Sequence, residues 1–229
     1  MTGAVVLEQL QRRIGHVFRD PHLLVRALTH RSAAASNNER LEFLGDGLLN
    51  FVVADALYRS RPDSEEGDLT RLRASLVCED SLAQLAEDLG LGDALVLGGG
   101  TLKSGGFRRP PILADALEAL LGAVYLDGGF DAARATCEHV LKSALERLPD
   151  AEQLKDAKTR LQEYLQGQGR PLPAYDLLAS EGPEHRPSFT VSCRLSDGDE
   201  LTEGRASNRR SAEQMAAELM LERLGKAHA

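Results

Sequence analysis

The sequence predicts a multidomain protein: an all-α domain over residues 1–149, a linker over 150–157, and a small α+β domain over 158–226 in the order α-β-β-β-α. Three observations lead there. Up to Pro149 the apolar residues recur at helical spacing, with no convincing run of alternation. Ser188 to Leu195 then alternates strictly between apolar and polar, the signature of a half-buried strand. The charge divides as well: up to Leu154 there are 16 basic and 23 acidic residues, a net of −7, whereas the remainder carries 11 and 12, a net of −1.

In the first domain, the segment Asn38 to Gly47 (NERLEFLGDG) is read as a helix. At about 100° per residue, Glu39, Glu42 and Asp46 fall within an arc of roughly 60°. Leu41, Leu44 and Leu48 fall opposite, so this helix is expected to rest on a core while holding three acids together. Like charges at this spacing repel by a few tenths of a kcal/mol per pair. A hard cation is the simplest compensation, because Mg²⁺ and Mn²⁺ take oxygen ligands. Ser36 to Glu39 also matches a capping box, in which Glu39 would serve only its own helix start. Glu66 and Asp68 fall in a loop or helix start, where caps are common.

Ile112 to Gly129 (ILADALEALLGAVYLDGG) reads as a second helix, with Asp115 and Glu118 on one face and Leu117, Leu120 and Leu121 supplying the apolar side. Two such helices packed together could converge their carboxylates on one metal site. The competing reading makes Asp115 and Glu118 first-turn acids after Pro110-Pro111, complementing the helix dipole. The segment Pro149 to Ala157 (PDAEQLKDA) is short, polar and aperiodic, as a linker would be.

In the second domain Lys158 to Gln168 reads as helix, and Tyr175–Ser180, Ser188–Leu195 and Glu200–Arg205 as strands separated by turns at Gly182-Pro183 and Asp197-Gly198. In the central strand Phe189, Val191, Cys193 and Leu195 are expected inward, and Thr190, Ser192 and Arg194 outward. A closing helix presents Ala212, Met215, Ala216 and Leu219 on one face.

The stretches ALTHRS (Ala27–Ser32), NERLEFLGD (Asn38–Asp46), EGDLTRLRASLV (Glu66–Val77), KSGGFRR (Lys103–Arg109) and Ile112–Gly129 make this chain similar to bacterial ribonuclease III. The α-β-β-β-α tail resembles a double-stranded-RNA-binding domain, so the resemblance covers nearly the whole chain. It implies a homodimeric endoribonuclease that processes structured precursor RNAs such as ribosomal or messenger RNA, leaving 5′-phosphate and 3′-hydroxyl ends with short 3′ overhangs. It assigns Glu39, Glu42, Asp46, Asp115 and Glu118 to Mg²⁺, which Mn²⁺ would replace, and gives Asp46 and Glu118 catalytic roles. Glu66 is a further acidic candidate. RNA contacts are implied at Thr159, Gln162, Glu163, His185, Arg209 and Arg210. The last two suit a phosphate pair, because a helix amino terminus already favours anions.

Some positions depart from the family pattern. Gly47 stands where Ser or Ala is usual and costs about 1 kcal/mol relative to Ala in a helix. Pro111 replaces a common Ser, a change tolerated in a first helical turn. Thr101 stands at an often acidic position. Glu213, with Ser211 nearby, takes the third basic position of the last helix, so a weaker RNA grip is expected.

Composition bounds the rest. The chain has 229 residues, 42% of them hydrophobic, enough for one or two cored domains. Cys78, Cys137 and Cys193 are odd in number and scattered, which argues against disulfides or a zinc site and for a reducing, cytoplasmic setting. No stretch approaches 18 apolar residues, so no membrane partner is expected. A net charge of −8 is the wrong sign for a protein that simply coats nucleic acid. The rival functions are a non-catalytic duplex-RNA regulator and an acidic helical scaffold docking on ribosomal RNA.

Overall fold

The computed structural model describes residues 3–149, 154–183 and 186–225. The chain divides after Leu154 into two compact units. The first is all helical: α1 (Gly3–Ile14), α2 (Pro21–Ala27), α3 (Glu39–Ser60), α4 (Glu66–Val77), α5 (Glu79–Asp88), α6 (Gly99–Lys103) and α7 (Pro110–Glu146). The second is α8 (Ala157–Gly167), β1 (Ala174–Glu181), β2 (Ser188–Arg194), β3 (Leu201–Ala206) and α9 (Arg209–Arg223). The first unit is helical as the sequence predicts, and the second has the predicted α-β-β-β-α order.

Helix α7 runs through the middle of the first unit. Leu113, Leu117, Leu120, Leu121 and Val124 are buried together with Ala114, Ala116, Ala119 and Ala123, so nearly all of its circumference is covered. A helix apolar all round belongs inside a core. It bends at Gly129, where φ is 79°, a left-handed conformation that glycine adopts without a Cβ penalty. The bend is clamped by Asp127, whose buried carboxylate accepts the backbone N–H of Arg19 and Asp20 and contacts His16 Nε2 at 2.9 Å.

Helices α3 and α7 cross at two glycines. A Cβ on Gly45 would lie 1.8 Å from the Glu118 carbonyl oxygen, and one on Gly122 would lie 2.3 Å from the Leu41 carbonyl oxygen. This crossing corrects the expected core face of α3. Leu41, Gly45 and Leu49 are buried, whereas Leu44 and Leu48 are only half-buried. The buried arc is therefore rotated by several tens of degrees towards the acids. The carboxylates sit at the rim of the helix–helix contact instead of pointing away from it.

In the second unit the three strands form an antiparallel sheet in the order β1-β2-β3, with Cys193 paired to Tyr175 and to Thr202. Helices α8 and α9 cover it through Leu161, Leu165, Ala216, Ala217 and Met220. A Cβ on Gly204 would meet the Ala212 carbonyl oxygen at 2.2 Å, so β3 and α9 touch backbone to backbone. One expectation is corrected here. Met215 and Leu219 are exposed, because the close seating at Gly204 turns the Ala212–Ala216–Met220 side of α9 to the sheet. Ser192 faces away from the helices as expected, yet it is buried, because β2 is the central strand and Leu178, Leu201 and Glu203 border it on that face. Helix α8 begins at Ala157, with Asp156 as its N-cap accepting the Thr159 N–H at 2.9 Å.

Candidate active site

The α3–α7 crossing brings Glu42 from one helix beside Asp115 and Glu118 from the other. One carboxylate oxygen from each lies within 4.8 Å of those of the other two, and all three residues are half-buried. Each pKa is raised, in every case chiefly by burial. Glu42 is further repelled by Asp115 and Glu39, and Asp115 by Glu79. Glu118 is pushed up to about 7 by burial together with Asp46, Asp115 and Glu42. Arg31 opposes the shift at Glu42 and at Asp115. Mutual repulsion of this kind is what a bound divalent cation relieves, and three carboxylates form a hard-oxygen donor set. The residues present fit such an ion.

The remaining acids stand around this trio in different ways. Asp46 is exposed; Asn50 Nδ2 donates to its Oδ1 at 2.7 Å, and its charge reaches Glu118. Glu39 is held by Asn37 Nδ2 at 3.1 Å and Arg31 at 3.4 Å. Its backbone N–H donates to Asn37 Oδ1, and the N-cap of α3 is Asn38, so the capping box from Ser36 does not form. The dipole reading of Asp115 and Glu118 also fails: α7 begins at Pro110 and its first turn holds no acid. Glu66 opens α4 and accepts from Thr70 Oγ1 at 2.9 Å in a different cavity, among Phe51, Tyr58 and Arg73. It is not part of the trio.

A cavity of about 680 Å³ opens beside the trio, bordered by Glu39, Glu42 and Asp115 and also by Arg31 and Arg109. No site role is expected of these arginines from the sequence pattern. Their signal was position, each lying in a stretch (ALTHRS, KSGGFRR) whose chemistry had no assigned use.

Among the candidate RNA contacts, Gln162 and Glu163 are exposed on α8, and Thr159 is half-buried in its first turn. Lys155 Nζ donates to Glu163 at 2.6 Å. Arg209 and Arg210 are exposed at the start of α9, which Asn208 caps by accepting the Ser211 N–H. His185 lies outside the described residues. Glu213 accepts from Arg209 at 2.9 Å and from Lys158 at 2.6 Å, so it gathers two cations instead of merely subtracting one. Lys158 also stands 4.5 Å from the centre of the Tyr175 ring, a cation–π contact.

The family described as Ribonuclease-III-like matches residues 20–145, and the double-stranded RNA binding motif matches residues 157–224. The chain belongs to the ribonuclease III family. It is 56% identical to the curated Ribonuclease 3 of Alkalilimnicola ehrlichii over 96% of this chain and 97% of that one. It is 51% identical to Ribonuclease 3 of Vibrio vulnificus over 95% and 97%. Among solved structures, a nuclease domain of ribonuclease III from Campylobacter jejuni superposes with a TM-score of 0.59 at 43% identity, covering 60% of this chain and 96% of that one. That structure is described as showing flexibility in a region involved in dimer formation. In ribonuclease III terms, the carboxylate trio lies in the nuclease part and the arginine-headed helix α9 in the RNA-binding part.

Proposed function

We propose that this chain is an endoribonuclease that hydrolyses phosphodiester bonds of double-stranded RNA at the Glu42–Asp115–Glu118 trio. The observation that carries the reading is the convergence of these carboxylates within 4.8 Å at the edge of an open cavity, in a chain with both ribonuclease III modules. Glu42, Asp115 and Glu118 would hold Mg²⁺, or Mn²⁺ in its place, with Glu39 and Asp46 adding charge directly or through waters. Such an ion, when bound, supplies Lewis acidity and activates water for attack on phosphorus. Glu118 and Asp46 act by keeping the site anionic and oriented. The ends produced are a 5′-phosphate and a 3′-hydroxyl.

The second module binds duplex RNA through Thr159, Gln162 and Glu163 on α8, Arg209 and Arg210 on α9, and His185. Recognition by such a domain follows A-form shape and 2′-hydroxyls across about 16 bp. The working species is a homodimer, one site per strand, since a two-fold dimer matches the approximate dyad of a duplex. Support comes from α3, whose face away from the core leaves Phe43 84%, Phe51 59% and Tyr58 73% exposed, an apolar surface that a second copy would cover. A cytoplasmic setting suits the free cysteines, and no helix among the described residues is long and apolar enough to cross a membrane.

The test is incubation of purified protein with a labelled RNA hairpin in Mg²⁺ or in EDTA. Cleavage in Mg²⁺ alone is expected; binding without cleavage in both would restore the non-catalytic regulator.

A further inference from the structure

The segments Thr29–Ser32 and Lys103–Arg109 help define the family resemblance, yet the carboxylate chemistry uses neither. The fold brings Arg31 and Arg109 to one cavity with Glu42 and Asp115. Both arginines stand on tethered backbone. His30 N–H donates to the Val96 carbonyl at 3.0 Å, Val96 N–H to Leu28 at 2.8 Å, and Asn38 N–H to Thr29 at 2.9 Å. Gly98 N–H donates to Ser32 Oγ at 3.0 Å, and a Cβ on Gly98 would lie 2.2 Å from the Ser32 carbonyl oxygen. Arg109 directly precedes Pro110 of α7, and its Nη2 donates to Ser104 Oγ at 3.0 Å.

Among the described residues, neither guanidinium is spent on a strong internal ion pair. Arg31 meets Glu39 at 3.4 Å with both side chains well exposed, and the hydrogen bonds of Arg109 go to the neutral Ser104. A polyanion entering a site with five acids, in a region of net charge −7, needs cationic contacts that a bound metal at the trio does not provide along the strand. The planar guanidinium fork matches phosphate oxygens.

We propose that Arg31 and Arg109 together grip a phosphate of the cleaved strand next to the scissile one, making the cavity a positioning subsite that sets which bond faces the carboxylates. This rests on the reading of Glu42, Asp115 and Glu118 as the cleavage site. The bridge is electrostatic and forms with the RNA in place.

The test is single-turnover cleavage of an RNA hairpin with one cut site, carrying a neutral methylphosphonate at each phosphate within two nucleotides of the cut, one at a time. Arg31→Ala and Arg109→Ala are each expected to slow cleavage of unmodified RNA about tenfold to a hundredfold. One methylphosphonate position should slow the wild type similarly and add little in either variant, because both changes remove the same contact. Arg31→Lys and Arg109→Lys keep the charge, lose the fork and retain part of the sensitivity; they carry the cycle if an alanine variant fails to fold. Losses that multiply at every position, or variants as fast as wild type, overturn the subsite. Cleavage by Glu118→Gln at the wild-type rate would instead overturn the underlying site assignment.

Discussion

Glu118 shows most clearly that the site is arranged against the stability of the fold. Its pKa is pushed up to about 7 by burial, then by Asp46, Asp115 and Glu42. A carboxyl with a folded pKa above its unfolded value of 4.5 imposes no penalty when both states are protonated. The penalty grows as pH rises through that interval and is complete above 7. In EDTA, Glu118→Gln is therefore expected to melt above the wild type at pH 8, with the gap closing towards pH 4.5. Thermal melts of both proteins across that range check it; a gap independent of pH would remove charge crowding as the cause. The same variant, and Asp46→Asn, should abolish cleavage in Mg²⁺ while leaving duplex binding within a few-fold, since neither residue is among the proposed RNA contacts. Substantial cleavage by either would take that residue out of the mechanism.

At the scale of the element, the two glycines of α3 make opposite predictions. Gly45→Ala forces a methyl group into the Glu118 carbonyl and must spread α3 from α7, so a loss of at least about 2 kcal/mol and of most cleavage activity is expected. Gly47 is exposed with nothing within 4 Å of its Cβ direction, and Gly47→Ala should stabilise by about 0.5–1 kcal/mol. Chemical denaturation of both separates them; equal effects would mean the crossing is looser than described. The proposed RNA contacts put the electrostatic part of binding on helix α9. Arg209→Ala with Arg210→Ala should weaken binding equally for unrelated duplexes and reduce the slope of log affinity against log salt by about 1 to 2. An unchanged slope, or a loss confined to one sequence, would remove the phosphate contact from these two residues.

For the whole molecule, two separate hydrophobic cores, one on either side of Leu154, imply that the modules fold independently. A chain ending near Pro149 is expected to stay helical and dimeric and to cut duplex RNA at low salt. Sedimentation and circular dichroism test the first claim, and a hairpin assay the second; an unfolded or monomeric product at micromolar concentration would refute the independence or the dimer surface. Phe43→Asp places a charge in the exposed apolar stripe of α3 and should yield a folded monomer. A dimer unaffected by that change would place the interface elsewhere.

The elements and the acids were legible in the sequence because both are local. Helical period, strand alternation and the i, i+3 and i+7 spacing of Glu39, Glu42 and Asp46 can be read within a dozen residues. Tertiary structure alone decided which acids meet. Gly45 and Gly122 have no side chain to register in an apolar pattern, yet their close approach turns α3 so that Glu42 joins Asp115 and Glu118 while Glu39 and Asp46 stay at the edge. The same holds for the arginines. Arg31 and Arg109 are 78 positions apart in sequence and share a wall only because the chain near Thr29 is hydrogen-bonded to Val96, ahead of α7. Spacing within one element is fixed by backbone geometry, but convergence between elements depends on how closely their backbones pack, and no local pattern encodes that distance.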